Sequence, residues 1–148
     1  PTSSITAGNF YHSQQDIQQA VNGVYACLTS GPVNIYLFLS EVRSNNFYAV
    51  FADAQRDYFD INNYQVNAQD ATVHDTWQSL YQMINRANGV LENIDNVSFD
   101  DPALKTQYKA EVRFLRAFAY FQLVRLWGRV PLVTKVISPA NGRYRRKH

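Results

Sequence analysis

Apolar residues recur at helical spacing in three stretches of the chain, and each stretch is bounded by residues that favour helix ends. The first covers residues 13–29, with apolar positions at Ile17, Ala20, Val21, Val24 and Leu28. Ser13 can cap its first turn, with Asp16 three positions later in an arrangement close to a capping box. Ser30, Gly31 and Pro32 then favour a break, so we predict a helix that ends near residue 29.

The second and third stretches follow one another in the second half of the chain. Residues 70–97 carry one broad apolar stripe, formed by Trp77, Leu80, Tyr81, Ile84, Ala87, Val90, Leu91 and Ile94. A further helix is predicted from about 102 to 127, because Asp100 or Asp101 can begin it with Pro102 in its first turn. Gly128 and the later Pro131 favour its end.

The helix predicted at 102–127 is apolar on nearly all sides. One face carries Leu104, Tyr108, Val112, Leu115, Phe118 and Leu126, and another carries Phe114, Ala117, Phe121 and Val124. Such a helix packs against several neighbours, and charges on it need partners because an unpaired buried charge is costly. We expect Glu111 to pair with Arg86 or Asn88. The pattern favours helix pairs stacked into a larger array over a free-standing bundle.

Residues 31–68 lack this regularity. The segment 34–42 (NIYLFLSEV) fits a buried strand or a short helix, and periodicity does not distinguish the two. Residues 44–67 mix six aromatic side chains with Asn, Asp, Arg and Gln. We interpret this part as a long structured loop with short local elements, and long ordered loops often carry function.

Two segments resemble the SusD/RagB family of outer-membrane nutrient-binding lipoproteins of Bacteroidota: WQSLYQMINRANGVLENI (77–94) and AEVRFLRAFAYFQLVRLWGRVPLVTKVIS (110–138). The family pattern W..LY..I..AN..L is matched by Trp77, Leu80, Tyr81, Ile84, Ala87, Asn88 and Leu91. The pattern AE.RFLRA..YF.LV..FG.VPL is matched by Ala110, Glu111, Arg113, Phe114, Leu115, Arg116, Ala117, Tyr120, Phe121, Leu123, Val124, Gly128, Val130, Pro131 and Leu132. With the first helix and SEVRSNN (40–46), the resemblance covers about residues 10–138.

The resemblance implies a mainly all-α fold: tetratricopeptide-like stacked helix pairs with a long aromatic-rich loop, as in the N-terminal part of a SusD-like protein. It assigns scaffold positions to Trp77, Asn88, Glu111, Arg113, Arg116, Gly128 and Pro131. Family proteins are several times longer, and the match fades after Ile137. We therefore expect residues 1–138 to be the helical N-terminal domain of a longer protein, and 139–148 to be a basic tail at a truncation end or a disordered end.

The charge distribution changes the meaning of the net charge of +2. Four of the fourteen basic residues lie in the last six positions (143–148), and the rest of the chain has ten basic against twelve acidic residues. A short basic end can contact nucleic acid or anionic lipid. Because no basic patch in the body accompanies it, we favour a solvated or artificial end and expect no nucleic-acid partner.

Neither catalysis nor metal binding is indicated. The single cysteine, Cys27, excludes an internal disulfide and a cysteine metal cluster, and it fits a small buried apolar residue. His12, His74 and His148 are far apart, and no nucleophile elbow, phosphate-binding glycine loop or recognisable pair of catalytic carboxylates is present. We expect a protein that is not an enzyme and has no cofactor, no catalytic residues and no metal site.

Glycan binding is the function that the loop favours. Sugars present apolar C–H faces and hydroxyl groups, so flat aromatic rings beside polar side chains suit them. Candidate ligand-binding residues are Tyr48, Phe51, Asp53, Arg56, Asp57, Tyr58 and Tyr64, within a wider set that includes Phe47 and Gln55. The alternative is that these aromatics pack the loop onto the helices.

The resemblance implies a cell-surface protein that delivers an oligosaccharide or polysaccharide to a SusC-like TonB-dependent transporter. No stretch reaches the roughly 20 apolar residues of a membrane span, and no signal peptide is recognisable. The chain begins at Pro1, so we expect a processed or truncated front, with a lipid anchor on a cysteine upstream. A helical-repeat module that binds protein and no glycan is the alternative function.

A last expectation concerns the outer face of the helix at 102–127. If it packs against later helices, Phe114, Phe118, Phe121 and Trp127 cannot all be covered within 148 residues. Some apolar surface should then stay exposed or be covered by another chain.

Overall fold

The computed structural model describes residues 10–29, 39–44, 56–67 and 70–137, and the described chain is helical without a strand. Its helices are α1 (Gln14–Thr29), α2 (Arg56–Asn62), α3 (Ala71–Asn93) and α4 (Pro102–Trp127), with a 3₁₀ turn at Ile94–Asn96 and helical residues at 39–41. The predicted all-α fold is therefore confirmed. The predictions for residues 34–38 and for the tail at 139–148 lie outside the described residues.

Helix α1 begins with the capping arrangement that its sequence predicts. Asp16 N–H donates to Ser13 Oγ over 3.2 Å, while Asp16 Oδ2 accepts from the Ser13 N–H and hydroxyl, each over 2.8 Å. These bonds satisfy donors that the first helical turn would otherwise leave unpaired. The face that follows is buried at Ile17, Val21, Val24 and Cys27.

Helices α3 and α4 form an antiparallel hairpin, and α1 packs mainly against α3 and also against α4. At one end of the hairpin Lys109 Nζ lies 2.7 Å from Asp95 Oδ1. At the other end the rings of Trp77 and Trp127 meet edge-to-face with centroids 5.2 Å apart. The core between the three helices is apolar, with fully buried Val24, Ile84, Val90, Val112 and Leu123 among its members.

Local residues fix both ends of α4 where the sequence predicts them. Asp101 is the N-cap, and its side chain accepts from the Ala103 N–H over 2.8 Å, with Pro102 in the first position of the helix. At the other end Gly128 has a φ of 73°, which a glycine adopts without steric cost, and its N–H donates to Val124 O over 2.9 Å.

After Gly128 the chain returns along the hairpin, and side chains of α3 and α4 hold its backbone. Tyr120 Oη donates to Val133 O over 2.9 Å and accepts from the Val133 N–H. Tyr81 Oη donates to Pro131 O over 2.8 Å. Asn88, which is fully buried, donates to Val133 O and Lys135 O. The returning segment is thus tied to both helices of the hairpin.

Glu111 on α4 and Arg86 on α3 form hydrogen bonds with partners other than the predicted ones. The prediction that Glu111 pairs with Arg86 or Asn88 is wrong: Glu111 Oε1 accepts from Gln107 Nε2 over 2.7 Å. Its carboxylate also lies beside Tyr25, and burial together with this carboxylate raises the pKa of the Tyr25 hydroxyl. Arg86 donates instead to Gly23 O on α1 over 2.9 Å. Glu111 thus bonds to a residue one turn earlier in its own helix, and Arg86 bonds to the backbone of α1.

One side of α4 is left uncovered. Phe114 and Phe121 are 69% and 58% exposed, and Val124 on the same face is 53% exposed. Phe118 and Trp127, in contrast, pack against the core. The expectation that these four large side chains are not all covered is confirmed for Phe114 and Phe121.

Candidate functional site

A small second core joins three separate parts of the chain. Leu39, Val42 and Ile61 are buried together, and Tyr58 and Leu126 pack against them. The side chain of Asn62 adds a polar link, since its Nδ2 donates to Val42 O over 2.7 Å. Residues 39–44, helix α2 and the last turns of α4 are thereby held side by side.

The turn that ends α2 has an unusual residue at its key position. Gln65 N–H donates to Asp60 O over 2.8 Å and Tyr64 N–H donates to Ile61 O over 3.2 Å. This pair of bonds is the Schellman motif, in which the residue after the helix adopts the left-handed conformation and is usually glycine. Here that residue is Tyr64, with a φ of 58°. For a residue with a side chain the conformation costs roughly 1–2 kcal/mol.

Packing in the core does not explain a tyrosine at this position, because the Tyr64 side chain is 69% exposed. Its Oη donates to Arg43 O over 2.9 Å. The Arg43 guanidinium lies over the ring, 5.3 Å from its centroid. The Tyr64 ring is therefore held at its hydroxyl group and at one face, while much of the side chain stays exposed to solvent.

A cavity of about 270 Å³ opens beside this ring. Its described lining consists of Leu39, Ser40, Arg43, Tyr64, Arg125 and Leu126. We call this set the Tyr64 pocket. Its volume is close to the lower end of the roughly 300–1,000 Å³ that small-molecule sites occupy. The lining residues combine two leucines, an exposed tyrosine, a serine and two arginines.

The described lining of the Tyr64 pocket includes one of the seven candidate ligand-binding residues, Tyr64. Tyr48, Phe51 and Asp53 lie outside the described residues, and Arg56 and Asp57 form the first turn of α2. Tyr58 is half-buried against the second core. Those six residues stay candidates by sequence alone, and Tyr64 is the candidate found in the described lining of the pocket.

Sequence reasoning missed Arg43, Arg125 and Ser40. Arg43 lies in the SEVRSNN segment, and Arg125 lies in the last turn of α4, where a cation also interacts favourably with the helix dipole. The Arg125 guanidinium lies 5.4 Å from the centroid of the Phe121 ring. The sequence gives one weak indication of a role for Arg125: it lies in a helix whose apolar surface is too wide to be covered by a single partner helix.

The predicted scaffold residues lie in the helix hairpin and the segment after it. Trp77 contacts Trp127 and Tyr81, Asn88 accepts from Arg116, and Glu111 is half-buried. Arg113 is exposed, Gly128 ends α4, and the Pro131 carbonyl accepts from Tyr81. Their assignment as a shared scaffold motif stays a prediction.

Within the described residues, no group of three or more His, Cys, Asp or Glu side chains is placed to hold a metal ion. Helices long and apolar enough to cross a membrane are likewise absent from that part of the chain.

A family model described as "Starch-binding associating with outer membrane", SusD-like, matches residues 2–147. Two relatives from Formosa agariphila, SusD-like proteins P25 and P38, are 31% and 33% identical, each over 91% of this chain and 27% and 26% of their own length. A SusD-like protein from Bacteroides ovatus is 27% identical over 90% of this chain and 24% of its own length. The chain thus spans about a quarter of the length of the curated relatives that it matches. No solved structure matches it significantly.

The family match extends over nearly the whole chain and agrees with the helical fold and with the two motifs on α3 and α4. This chain belongs to the SusD-like family.

Proposed function

We propose that the full-length protein binds oligosaccharide or polysaccharide at the cell surface and delivers it to a SusC-like TonB-dependent transporter. Membership of a family described as starch-binding and associated with the outer membrane supports this proposal. Because the chain spans about a quarter of its relatives, the ligand site of the whole protein includes residues from outside it. The Tyr64 pocket is the contribution that these residues make.

The observation that carries the proposal is the exposed Tyr64 ring in its left-handed backbone position. Glycine would form the same turn at lower cost, so a tyrosine there needs a reason other than the turn. Strained backbone positions concentrate at ligand-binding sites. A flat ring that is held in place and exposed can stack on the C–H face of a sugar without a further loss of side-chain freedom.

Binding without a chemical step fits the described lining. It contains two residues with hydroxyls, Ser40 and Tyr64, but no histidine or carboxylate that could act as a general base beside them. The lining offers instead apolar contact, a ring face and N–H donors. These groups suit recognition of hydroxyl-rich ligands and favour a carrier over a hydrolase.

Attachment to the outer membrane would come from a lipid on a cysteine upstream of Pro1, with the protein on the extracellular face. Cys27 does not fit the role of that anchor, because it is buried within α1. The expected order of events is capture of the glycan by the surface protein, followed by transfer into the transporter.

Two experiments test this proposal. Glycan binding is measured with a polysaccharide array and affinity electrophoresis of the full-length protein without its lipid. The transporter partner is sought by purifying the lipidated protein from membranes. We expect retardation by at least one polysaccharide and co-purification of a TonB-dependent transporter. Co-purification of the transporter with no retardation by any polysaccharide would contradict glycan binding and favour a protein-interaction module. Retardation without any transporter would contradict delivery to that partner.

A further inference from the structure

Two contacts that hold the Tyr64 side chain come from one residue, Arg43. The Tyr64 Oη donates to the backbone oxygen of Arg43 over 2.9 Å, across 21 positions of the sequence. The Arg43 guanidinium lies over the ring of the same tyrosine, with its Cζ 5.3 Å from the ring centroid. We call this pair of contacts the Arg43 clamp. It holds the ring at its hydroxyl end and at one face.

The backbone on both sides of the clamp is fixed by the fold. Val42, next to Arg43, is fully buried in the second core, and its carbonyl accepts from Asn62 Nδ2 over 2.7 Å. The backbone of Tyr64 is held by the two Schellman bonds at the end of α2. The clamp therefore joins two fixed positions, and the place of the Tyr64 ring follows from the fold.

Burial does not explain why the Arg43 side chain lies over the ring. Arg43 is exposed, and so is most of the Tyr64 side chain. Two exposed side chains lose conformational freedom when they are held together, and a cation–ring contact in solvent stabilises a fold only slightly. An ordered and exposed ring is therefore of more use to a ligand than to the fold.

Order in the ring matters for binding, because a ligand otherwise has to immobilise the side chain that it contacts. A free tyrosine on the surface turns about two side-chain torsions, and fixing them opposes binding. The clamp fixes them before the ligand arrives. It also determines which side of the ring is usable: the guanidinium covers one face, so a sugar can stack only on the other.

We propose that Arg43 is a positioning residue for glycan binding, which holds the Tyr64 ring so that its uncovered face meets the sugar. The contribution of Arg43 to affinity passes through the ring and not through a contact between the guanidinium and the ligand. This inference rests on the proposed glycan-binding function and deepens it, since it names the residue that makes the aromatic contact effective.

A double-mutant cycle separates positioning from direct contact. Calorimetric titration is carried out on the full-length wild type, Arg43→Gln, Tyr64→Gly and the variant with both substitutions. The probe is maltoheptaose, or an oligosaccharide of whichever polysaccharide retards the wild type in affinity electrophoresis. Arg113→Gln is the control for charge, because it removes an exposed arginine on α4. Melting temperatures show whether each variant is folded.

We expect Arg43→Gln to lower the affinity by roughly three- to tenfold, the effect of one side chain that the ligand must then immobilise. In the Tyr64→Gly background the same substitution should change the affinity by less than about twofold, since no ring remains to be positioned. Arg113→Gln should bind like the wild type. A loss of equal size in both backgrounds would show direct contact between Arg43 and the ligand. That result, or wild-type affinity in Arg43→Gln, would overturn this inference and leave glycan binding intact.

A second measurement tests the clamp without a ligand. Fluorine NMR of the full-length protein labelled with 3-fluorotyrosine identifies the Tyr64 resonance as the one that Tyr64→Gly removes. We expect Arg43→Gln to narrow this resonance and move it toward its position in the unfolded protein, because the ring then turns more freely. An unchanged resonance would overturn the clamp. Failure of the wild type to bind any glycan in the polysaccharide array would overturn the proposed function and the role of Arg43 together.

Discussion

Asn88 on α3 and Arg116 on α4 are joined by a hydrogen bond of 2.8 Å, from Arg116 Nη1 to Asn88 Oδ1. The amide nitrogen of the same Asn88 donates to Val133 O over 3.1 Å and to Lys135 O over 3.0 Å. One fully buried side chain therefore connects both helices of the hairpin to the segment that follows them. Because every polar atom of this amide is used, Asn88 stabilises the arrangement at a position where an unpaired amide would destabilise it.

The first prediction is that Asn88→Ala destabilises the full-length protein by about 2–3 kcal/mol, since it removes the hydrogen bonds to Val133 O and Lys135 O and takes away the acceptor of the Arg116 guanidinium. Asn96→Ala, at an exposed position of the 3₁₀ turn, is the control and should change stability by less than about 0.5 kcal/mol. The measurement is urea unfolding followed by circular dichroism. Equal midpoints for the two variants would show that Asn88 does not connect the hairpin as described.

The second prediction concerns acid stability through Asp95. Its hydrogen bonds with Lys109 Nζ, at 2.7 and 2.9 Å, lower the pKa of the Asp95 carboxyl. A carboxyl with a lowered pKa in the folded state contributes stability above its unfolded pKa of about 3.9 and loses it as the pH falls through the folded value. The contribution is therefore complete at neutral pH and disappears in acid.

Thermal melting of wild type and Lys109→Gln between pH 7 and pH 2 tests this dependence. We expect a lower melting temperature for Lys109→Gln at pH 7 and a difference that shrinks below about pH 4. Asp95→Asn should lower the melting temperature at pH 7 in the same way. A difference that stays constant down to pH 2 would assign the effect of Lys109 to something other than Asp95.

The third prediction concerns the exposed face of α4. Residues 1–148 alone should self-associate or bind a hydrophobic dye, because Phe114 and Phe121 are mostly exposed. Burial of one such ring contributes roughly 1.5–3 kcal/mol, so the fragment alone should also be marginally stable. Phe114→Gln with Phe121→Gln should reduce dye binding while helical content is retained, since glutamine is a good helix former.

Dye fluorescence and light scattering measure this effect, with Arg113→Gln as a control that removes an exposed polar residue from the same helix. A monomeric fragment with a sharp, reversible thermal transition and no dye binding would contradict the prediction.

The three long helices could be predicted from the sequence because their determinants are local. Apolar periodicity runs over several turns in each, and Ser13 with Asp16, Asp101 with Pro102, and Gly128 mark their ends. The sequence predicts helix α2 only as part of a loop with short elements. Seven residues span about two turns, too few to establish a period.

Side-chain pairing across elements was harder to predict. Glu111 could have reached several partners, and the choice of Gln107 depends on rotamers and on the neighbouring Tyr25. The pocket is hard to predict for the same reason: Arg43 and Arg125 are distant in sequence, and packing in the second core brings their segments together. Tyr64 could be selected as an aromatic candidate, but its left-handed backbone contradicts the usual preference for glycine at a helix end.

The central claim is that the Tyr64 ring contacts a glycan, and the variant Tyr64→Gly tests it with little effect on the fold. Glycine suits the turn and relieves roughly 1–2 kcal/mol of backbone cost, which offsets the lost hydrogen bond of about 0.5–1.5 kcal/mol to Arg43 O. The melting temperature should therefore change little. The matched control is Tyr25→Gln, because it removes a different exposed aromatic ring, one that lies on α1.

The most direct measurement is calorimetric titration of full-length wild type, Tyr64→Gly and Tyr25→Gln with the polysaccharide fragment that the wild type binds. We expect Tyr64→Gly to lose about tenfold or more in affinity, the value of one ring that stacks on a sugar, while Tyr25→Gln binds like the wild type. Binding by folded Tyr64→Gly that is as tight as wild-type binding would contradict the account.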